Sequence, residues 1–289
     1  MKLAAIALAA LVLLAGCGGG ADTPTADDLV PDPATAWLDK GPVILDGCRS
    51  GGPYTEAWAC VYGDPASDRT AVLWGDSHAM QYAPPLIRLA ETRGWRLVTM
   101  FRGDCLVAEI EFQPACDAWR QAAIRRIGKE RPGLILMATD TGDGYALGKG
   151  AGPDRAASEP ILRDAFAATL RHMRRLTRDG SGEVVVLRDL PRSKRRPPDC
   201  LLEHPEALTE CDFEPFRKNP PGFDLVAARG VDGVKLIDLE DVVCRGGLCP
   251  ASRDGMVVYR DTAHLSATYA VTLAGLLGRR IGDFPATGP

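Results

Sequence analysis

The chain has 289 residues, a formal net charge of −4 and 46% hydrophobic residues. A nucleic-acid-binding domain is normally basic, so the negative charge argues against that class of protein. Once the N-terminal segments are set aside, about 250 residues remain, which is enough for one α/β domain with a substantial core.

The N-terminus has the form of an export signal. Lys2 precedes an apolar run from Leu3 to Leu14, which is too short to span a bilayer in the mature protein. The run leads into LAGC (residues 14–17), which resembles the bacterial lipobox. We therefore expect residues 1–16 to be a lipoprotein signal peptide and Cys17 to be lipidated. The alternative is an ordinary signal peptide that is cleaved elsewhere.

The next segment has the composition of a linker. Residues 17–36 are rich in Gly, Pro, Thr and Asp and contain almost no large apolar side chains. Such a segment cannot bury enough surface to fold, so the sequence predicts a flexible tether. The folded domain is expected to occupy residues 37–285. Its first part, up to Arg69, lacks periodicity and is expected to wrap around the rest.

The remaining cysteines indicate disulfide bonds. The chain has nine cysteines, and the eight that follow Cys17 fall in near pairs. An even number in an exported protein implies disulfides, although the sequence leaves the pairing open. Adjacent pairing is the simplest hypothesis, with each bridge closing a local loop: Cys48 with Cys60, Cys105 with Cys116, Cys200 with Cys211, and Cys244 with Cys249. A metal site is disfavoured because no CxxC motif occurs.

Strands and helices are predicted to alternate along the chain. Short apolar runs predict strands, and segments with helical periodicity lie between them. This alternation is typical of a parallel sheet covered by helices. The predicted strands are 71–75, 95–100, 134–138, 183–187 and 234–237. The predicted helices are 79–91, 116–130, 159–178, 223–229 and 267–280.

Ser77 stands at the end of the first predicted strand. The apolar run Ala71–Trp74 stops at Gly75, and Asp76, Ser77 and His78 follow. Doubly wound sheets bind ligands at the carboxyl edge of their strands, and helix N–H groups there can support an oxyanion. Ser77 is therefore the candidate nucleophile.

A matching base and acid occur near the C-terminus. Asp261 and His264 lie three residues apart on a predicted turn, and Ser266 suits the N-cap of the final helix. A serine needs a base to take its proton, and the base works best when a carboxylate fixes its tautomer. We expect Asp261 to contact Nδ1 of His264, and Nε2 to face Ser77. The order Ser…Asp…His also occurs in α/β-hydrolases, whose acid and base usually come from separate loops.

Three motifs together resemble a known family. They are LWGDSHA (residues 73–79), RDLPR (188–192) and YRDTAHLS (259–266). With them the chain resembles the SGNH (GDSL-type) hydrolases, most closely the SGNH domains fused to membrane acyltransferases that O-acetylate bacterial surface glycans. The resemblance implies a flavodoxin-like three-layer α/β/α sandwich with a parallel sheet. It also implies Ser77 as nucleophile, His264 as base, Asp261 as its orienting acid, and no metal or organic cofactor.

The oxyanion hole departs from the family pattern. The family uses the N–H of the nucleophile, a glycine after the second strand and an asparagine after the third. Ser77 and Gly103 fit the first two positions, but the only asparagine of the chain is Asn219, far downstream. Loss of one oxyanion donor typically slows an enzyme about 10²–10³-fold. Either another donor substitutes, with Thr139 and Thr141 as the candidates, or turnover is slow.

Neighbouring polar residues have simpler interpretations. Asp76 is expected to cap the helix that carries Ser77. His78 is expected to be structural or to contact substrate, because adjacent side chains on a helix do not face each other. His172 lies among charges and is expected at the surface. The basic residues Arg192, Lys194, Arg195 and Arg196 form a solvated loop or, alternatively, meet an anionic glycan.

The sequence thus predicts an exported, lipid-anchored serine esterase or acyltransferase. Its expected substrate is an O-acyl group on a cell-envelope carbohydrate, and a membrane acyltransferase is a further expected partner. No nucleic acid is expected. The alternative is a glycan-binding or assembly lipoprotein that has the same fold but is weak or inactive as a catalyst.

Overall fold

The computed structural model describes residues 24–51, 53–142, 155–216 and 222–286. The predicted signal peptide and Cys17 lie outside these residues. Within the described part of the chain, no helix is long and apolar enough to cross a membrane.

Strands occupy the segments that the apolar runs predict, and the described residues add three short ones, β1, β7 and β8. The strands are β1 Cys60–Gly63, β2 Thr70–Gly75, β3 Arg96–Phe101, β4 Leu134–Ala138, β5 Glu183–Leu187, β6 Val234–Ile237, β7 Ser252–Arg253 and β8 Met256–Val257. The helices are α1 Pro42–Leu45, α2 Ser77–Met80, α3 Ala83–Arg93, α4 Pro114–Glu130, α5 Arg155–Leu176, α6 Pro197–Glu203, α7 Phe223–Arg229, α8 Glu240–Val243, α9 Ala267–Thr272 and α10 Ala274–Ile281.

The described residues form one six-stranded sheet in the order β1-β3-β2-β4-β5-β6, and β7 pairs with β8 in a separate hairpin. β1 is antiparallel to β3, whereas the other five strands of the large sheet run parallel. Counted along the chain, those five have the order second-first-third-fourth-fifth, which is the flavodoxin-like arrangement. The predicted fold class is confirmed.

Each face of the sheet has its own core. Successive side chains of a strand point to opposite faces, so Leu73 joins a cluster with residues of α3, α9 and α10. Trp74 joins a second cluster with residues of α4, α5 and α7. Both side chains are fully buried. The result is a three-layer α/β/α sandwich whose central strands are apolar on both sides.

Two predicted helices are each divided in the structure. The helix expected over residues 79–91 is split into α2 and α3, and proline lies at the start of α3. Proline lacks an N–H and favours the first turn of a helix, so it starts a new helix rather than continuing α2. The C-terminal helix is likewise split into α9 and α10 at Leu273.

The predicted tether is wrong for residues 24–36. Leu29 and Ala36 are buried against the loop closed by Cys200 and Cys211. Val30 forms a parallel bridge with Met256 at the β7–β8 hairpin. A few small apolar side chains are enough to fix this segment because the rest of the domain supplies the partner surface.

All four expected disulfides are present in the described residues. They join Cys48 to Cys60, Cys105 to Cys116, Cys200 to Cys211, and Cys244 to Cys249. Each closes a loop of no more than 12 residues in sequence separation. Adjacent pairing is therefore confirmed.

Candidate active site

Ser77 lies at the point where the strand order reverses. It is the first residue of α2, directly after the Gly75–Asp76 turn at the carboxyl end of β2. β2 lies between β3 and β4, the strands that follow it along the chain. Open α/β sheets bind ligands at such a switch point.

Two residues shape the turn before Ser77. A Cβ atom on Gly75 would lie 2.1 Å from the carbonyl oxygen of Ala138, so only glycine fits this close approach of β2 and β4. Asp76 is fully buried and accepts a hydrogen bond from the N–H of His78 at 2.8 Å. The capping role expected of Asp76 is confirmed.

His264 contacts both Asp261 and Ser77, although Ser77 lies 187 positions earlier in the sequence. Nε2 of His264 lies 3.0 Å from Oγ of Ser77. Nδ1 of His264 lies 3.0 Å from each carboxylate oxygen of Asp261. The geometry matches a nucleophile, a base and a carboxylate that fixes the tautomer of the base. The convergence of the three predicted side chains is observed.

The base-bearing turn (residues 259–265) is held by its own backbone and by α2. Asp261 accepts the N–H groups of Ala263 and His264, both at 2.8 Å. The N–H of Leu265 donates to Oε1 of Gln81, which is buried, at 3.0 Å. These hydrogen bonds hold the backbone at His264 and at the residues before and after it.

Electrostatics favour a neutral imidazole and a charged carboxylate. Burial lowers the pKa of His264 below its ordinary value, and Asp261 opposes that shift only in part. Burial alone would raise the pKa of Asp261, but its hydrogen bond and charge interaction with His264 hold that pKa well below the usual range. A neutral imidazole with a free lone pair is the form that a general base requires.

A second histidine–carboxylate pair lies beside the first. His78 is 2% exposed, and its Nδ1 lies 2.5 Å from Oδ1 of Asp189 at the end of β5. Its Nε2 lies 3.0 Å from Nη2 of Arg192. Burial alone would lower the pKa of His78, but the charge of Asp189 and the hydrogen bond to it raise that pKa above its ordinary value. The structural role expected of His78 is borne out, and its partners come from the RDLPR segment.

His78, Asp140 and Asp189 have the spacing of metal ligands, since one donor atom of each lies within 4.8 Å of the others. The guanidinium of Arg192 already contacts the same group. It bonds to Oδ1 of Asp140 and lies 3.8 Å from Oδ2 of Asp189. The negative charge of this cluster is therefore balanced by a side chain of the protein.

The proposed oxyanion donors are only partly in place. Gly103 follows β3, and the N–H of Arg102 donates to the carbonyl of Gly75 at 3.1 Å, which brings this loop beside the Ser77 turn. The hydroxyl of Thr139 donates to Asp76 at 2.8 Å, and that of Thr141 to Asp189 at 2.9 Å. Because a hydroxyl has one proton to donate, the expectation that either threonine substitutes for the asparagine is not supported.

The other predicted polar residues lie away from Ser77 or pair with neighbours. His172 is partly exposed and lies 2.9 Å from Glu109, as a surface position predicts. Arg195 pairs with Glu203, and Arg196 lies 3.6 Å from Asp199. The solvated interpretation therefore holds for the exposed Arg195 and Arg196, whereas Arg192 of the same run lies in the cluster with His78 and Asp140.

Sequence reasoning did not assign roles to Asp189 and Gln81. Asp189 lies 111 positions after His78 and Gln81 lies 184 positions before Leu265, so no local pattern links the partners. The only signal was the RDLPR motif, which holds both Asp189 and Arg192.

Comparisons with known proteins agree with this geometry. The family model described as "SGNH domain (fused to AT3 domains)" matches residues 47–279. No curated protein sequence matches the chain significantly.

Two solved structures are similar to the chain, and the one with the higher TM-score supports the fold. The periplasmic domain of a lipopolysaccharide acetyltransferase from Salmonella ser. Paratyphi A is 16% identical, with a TM-score of 0.57 over 83% of this chain and 87% of that one. A carbohydrate esterase family 2 enzyme from Corynascus thermopiles, with its carbohydrate-binding domain, is 13% identical, with a TM-score of 0.43 over 76% of this chain and 68% of that one.

The family match, over residues 47–279, covers more than half of the chain. The chain belongs to the family of SGNH domains described as fused to AT3 domains.

Proposed function

We propose that this protein is a serine esterase or acyltransferase that acts on O-acyl groups, chiefly O-acetyl groups, of a cell-envelope carbohydrate. The observation that carries the proposal is the 3.0 Å contact between Nε2 of His264 and Oγ of Ser77, with Asp261 on the opposite ring nitrogen. The named activities of an acetyltransferase domain and a carbohydrate esterase with related structures agree with it.

The chemistry proceeds through an acyl-enzyme. Ser77 Oγ attacks the acetyl carbonyl while Nε2 of His264 takes its proton, and the sugar oxygen leaves with that proton. The N–H groups of Ser77 and Gly103 are the proposed oxyanion donors. In the second half, water or another sugar hydroxyl attacks the acyl-enzyme and His264 again takes the proton. Water gives acetate, whereas a sugar hydroxyl gives a newly acetylated sugar.

Covalent labelling tests whether the serine is active. A fluorophosphonate probe is expected to label the wild-type protein at Ser77, and Ser77→Ala and His264→Ala are expected to abolish the label. A folded wild-type protein that is not labelled would contradict the proposal. It would favour the alternative of a glycan-binding or assembly lipoprotein, which the engagement of Thr139 and Thr141 elsewhere supports.

The choice between hydrolysis and transfer needs a product assay. The protein is incubated with an acetyl ester donor and candidate envelope glycans, and mass spectrometry follows both free acetate and acetylated glycan. Accumulation of acetate alone identifies an esterase. Accumulation of acetyl-glycan identifies a transferase, which would work with a membrane acyltransferase as the source of acetyl groups.

We further propose that the protein is exported and anchored to a bacterial membrane through Cys17, facing the periplasm or the cell exterior. The LAGC sequence and the four disulfides support this proposal. Mass spectrometry of the N-terminal peptide of the mature protein is expected to show a lipid-modified Cys17, and Cys17→Ser is expected to release the protein from the membrane fraction. An unmodified N-terminus at another residue would contradict it.

A further inference from the structure

Residues 24–51, called the N-terminal strap below, begin before the part of the chain that the family model matches, since the match starts at residue 47. The strap is nevertheless part of the packed domain. Leu29, Ala36 and Val43, which all precede the match, are at most 4% exposed. A segment outside the family pattern that is buried to this extent invites a functional explanation.

The strap first contacts the hairpin that leads into the base-bearing turn. The N–H of Val30 donates to the carbonyl of Gly255 at 2.9 Å, and the N–H of Val257 donates back to Val30 at 3.1 Å. Tyr259, where the base-bearing turn begins, follows two residues later. The strap thus extends the β7–β8 hairpin at the entrance of this turn.

The strap then contacts the exit of the same turn. Helix α9 begins three residues after His264, and its first N–H groups have no partners within the helix. The N–H of Ala267 donates to the backbone carbonyl of Asp39 at 3.1 Å. The N–H of Thr268 donates to the Asp39 carboxylate at 2.8 Å. Asp39 therefore supplies two hydrogen-bond acceptors, one of them charged, to the start of α9, the helix that follows His264.

Close packing leaves little room for movement at this contact. Gly41 has φ of +81°, and a Cβ atom there would lie 2.9 Å from Cγ of Pro84 and 3.2 Å from Cβ of Ala267. The strap therefore passes closely between α3 and α9. Its far end is fixed by the Cys48–Cys60 disulfide.

The last residues of the strap reach the other side of the candidate active site. The N–H of Ser50 donates to the carbonyl of Phe101 at 2.8 Å, and Ser50 forms a parallel bridge with Arg102. Gly103, the proposed oxyanion glycine, is the next residue. One continuous segment thus contacts the residues on both sides of the base-bearing turn and the residues directly before Gly103.

We propose that the N-terminal strap holds the active site in its working geometry, with Asp39 as a positioning residue that fixes His264 against Ser77. The proposal rests on the proposed function, because it assigns His264 the role of the base. A base displaced by about 1 Å is expected to cost on the order of 10²-fold in rate. Asp39 does not contact substrate, so its effect is exerted through the start of α9.

The test compares two aspartates of the same strap in the full-length protein. Asp39→Ala removes the acceptor for Thr268, whereas Asp46→Ala removes a contact at 2.8 Å with the hydroxyl of Tyr62 on β1. Hydrolysis of p-nitrophenyl acetate is measured well below the melting temperature of each variant. We expect Asp39→Ala to lower kcat about 10-fold or more with KM unchanged, and Asp46→Ala to stay within about twofold of wild type. Equal effects of the two variants would overturn the proposal.

A conservative variant separates position from stability. Asp39→Asn keeps an oxygen that can accept from Thr268, so it is expected to recover most of the kcat that Asp39→Ala loses. If Asp39→Asn is as slow as Asp39→Ala, positioning through this hydrogen bond is wrong.

A second measurement does not depend on turnover. The NMR titration of the His264 imidazole is expected to shift in Asp39→Ala and to remain at the wild-type position in Asp46→Ala. An unchanged titration in both variants would overturn the proposal. A wild-type protein that fails to hydrolyse the ester or to react with the fluorophosphonate would contradict the proposed function, while the titration would still test the strap.

Discussion

The imidazole rings of His78 and His264 lie against each other, with centroids 4.6 Å apart and planes tilted by 52°. His78, the residue next to the candidate nucleophile, thus contacts the candidate base His264, although the two residues lie far apart in the sequence. Asp261 holds one ring and Asp189 the other. The two histidine–carboxylate pairs form a single packed unit.

Replacing His78 with glutamine is expected to move the pH dependence of catalysis. The charge of His78 lowers the pKa of His264, as do burial and Arg260, whereas Asp261 raises it. Removal of the His78 ring therefore raises the pKa of the base. Because activity needs neutral His264, the acidic limb of kcat/KM for p-nitrophenyl acetate should move to higher pH than in the wild type.

Two further outcomes bear on this prediction. In the wild type, the limb should lie below pH 6.5, the ordinary pKa of histidine, because burial lowers the pKa of His264. A His78→Gln variant with a reduced kcat but an unmoved limb would show that the ring supports the fold without affecting the charge state of the base.

Asp261→Asn is expected to lower kcat by about 10³–10⁴-fold. The amide can present an N–H to Nδ1 of His264, which stabilises the wrong tautomer and leaves Nε2 protonated. The kinetics of p-nitrophenyl acetate hydrolysis measure the loss, and circular dichroism checks that the variant is folded. A loss below about 10-fold would remove Asp261 from the triad.

Asp224→Asn is expected to stabilise the protein at neutral and alkaline pH. Asp224 is 2% exposed, and burial together with the nearby Asp189 raises its pKa from 3.8 to about 7. Between these two values the folded state holds a proton that the unfolded state has released, so the stability contributed by this group falls as the pH rises. The total change is on the order of 4 kcal/mol.

The measurement is thermal unfolding of both proteins across this pH range. Asparagine carries no charge and keeps an oxygen for the N–H of Asp189, which Asp224 accepts at 2.9 Å. The Tm of the variant should therefore exceed that of the wild type by more at pH 8 than at pH 4. A pH-independent difference would contradict the raised pKa.

Gly75→Ala is expected to impair both stability and activity. The added Cβ would meet the carbonyl oxygen of Ala138 at 2.1 Å and Cβ of Ala79 at 2.4 Å, so the backbone of β2, β4 or α2 must shift. We expect a loss of about 2 kcal/mol or more in unfolding free energy and a marked fall in Ser77 labelling. Gly275→Ala on α10 is the control, because the only atom within 4 Å of a Cβ there is Nη1 of Arg279, at 3.6 Å.

Much of the fold was predictable because its core strands are local apolar runs. The bounds of β4, β5, β6 and α7 agree with the predicted ones, and β2 begins one residue before the predicted strand. Parallel strands covered by helices on both faces leave this continuous apolar signal. The contact of Ser77, His264 and Asp261 was predictable because nucleophilic catalysis by serine needs these three residue types, at places that the strand pattern and the terminal turn define.

The sequence could not reveal two things. One is the contacts between polar residues that lie far apart in the chain, and the other is the burial of isolated small apolar residues. The bond from His78 to Asp189 and the bond from Thr139 to Asp76 depend on which strands are neighbours in the sheet. Residues 24–36 look like a linker by composition, because Leu29 and Ala36 alone form no periodic pattern. Their burial depends on a surface that only the folded domain provides.

The position of the strap decides where a shortened recombinant version of this protein must begin. A version cut at residue 47, the start of the family match, would retain Ser77, Asp261 and His264 and yet lack Asp39 and Val30. Low activity of such a truncated protein would be mistaken for a property of the full-length protein. A version that begins before Val30 keeps both the bonds of Val30 to the β7–β8 hairpin and the bonds of Asp39 to the start of α9.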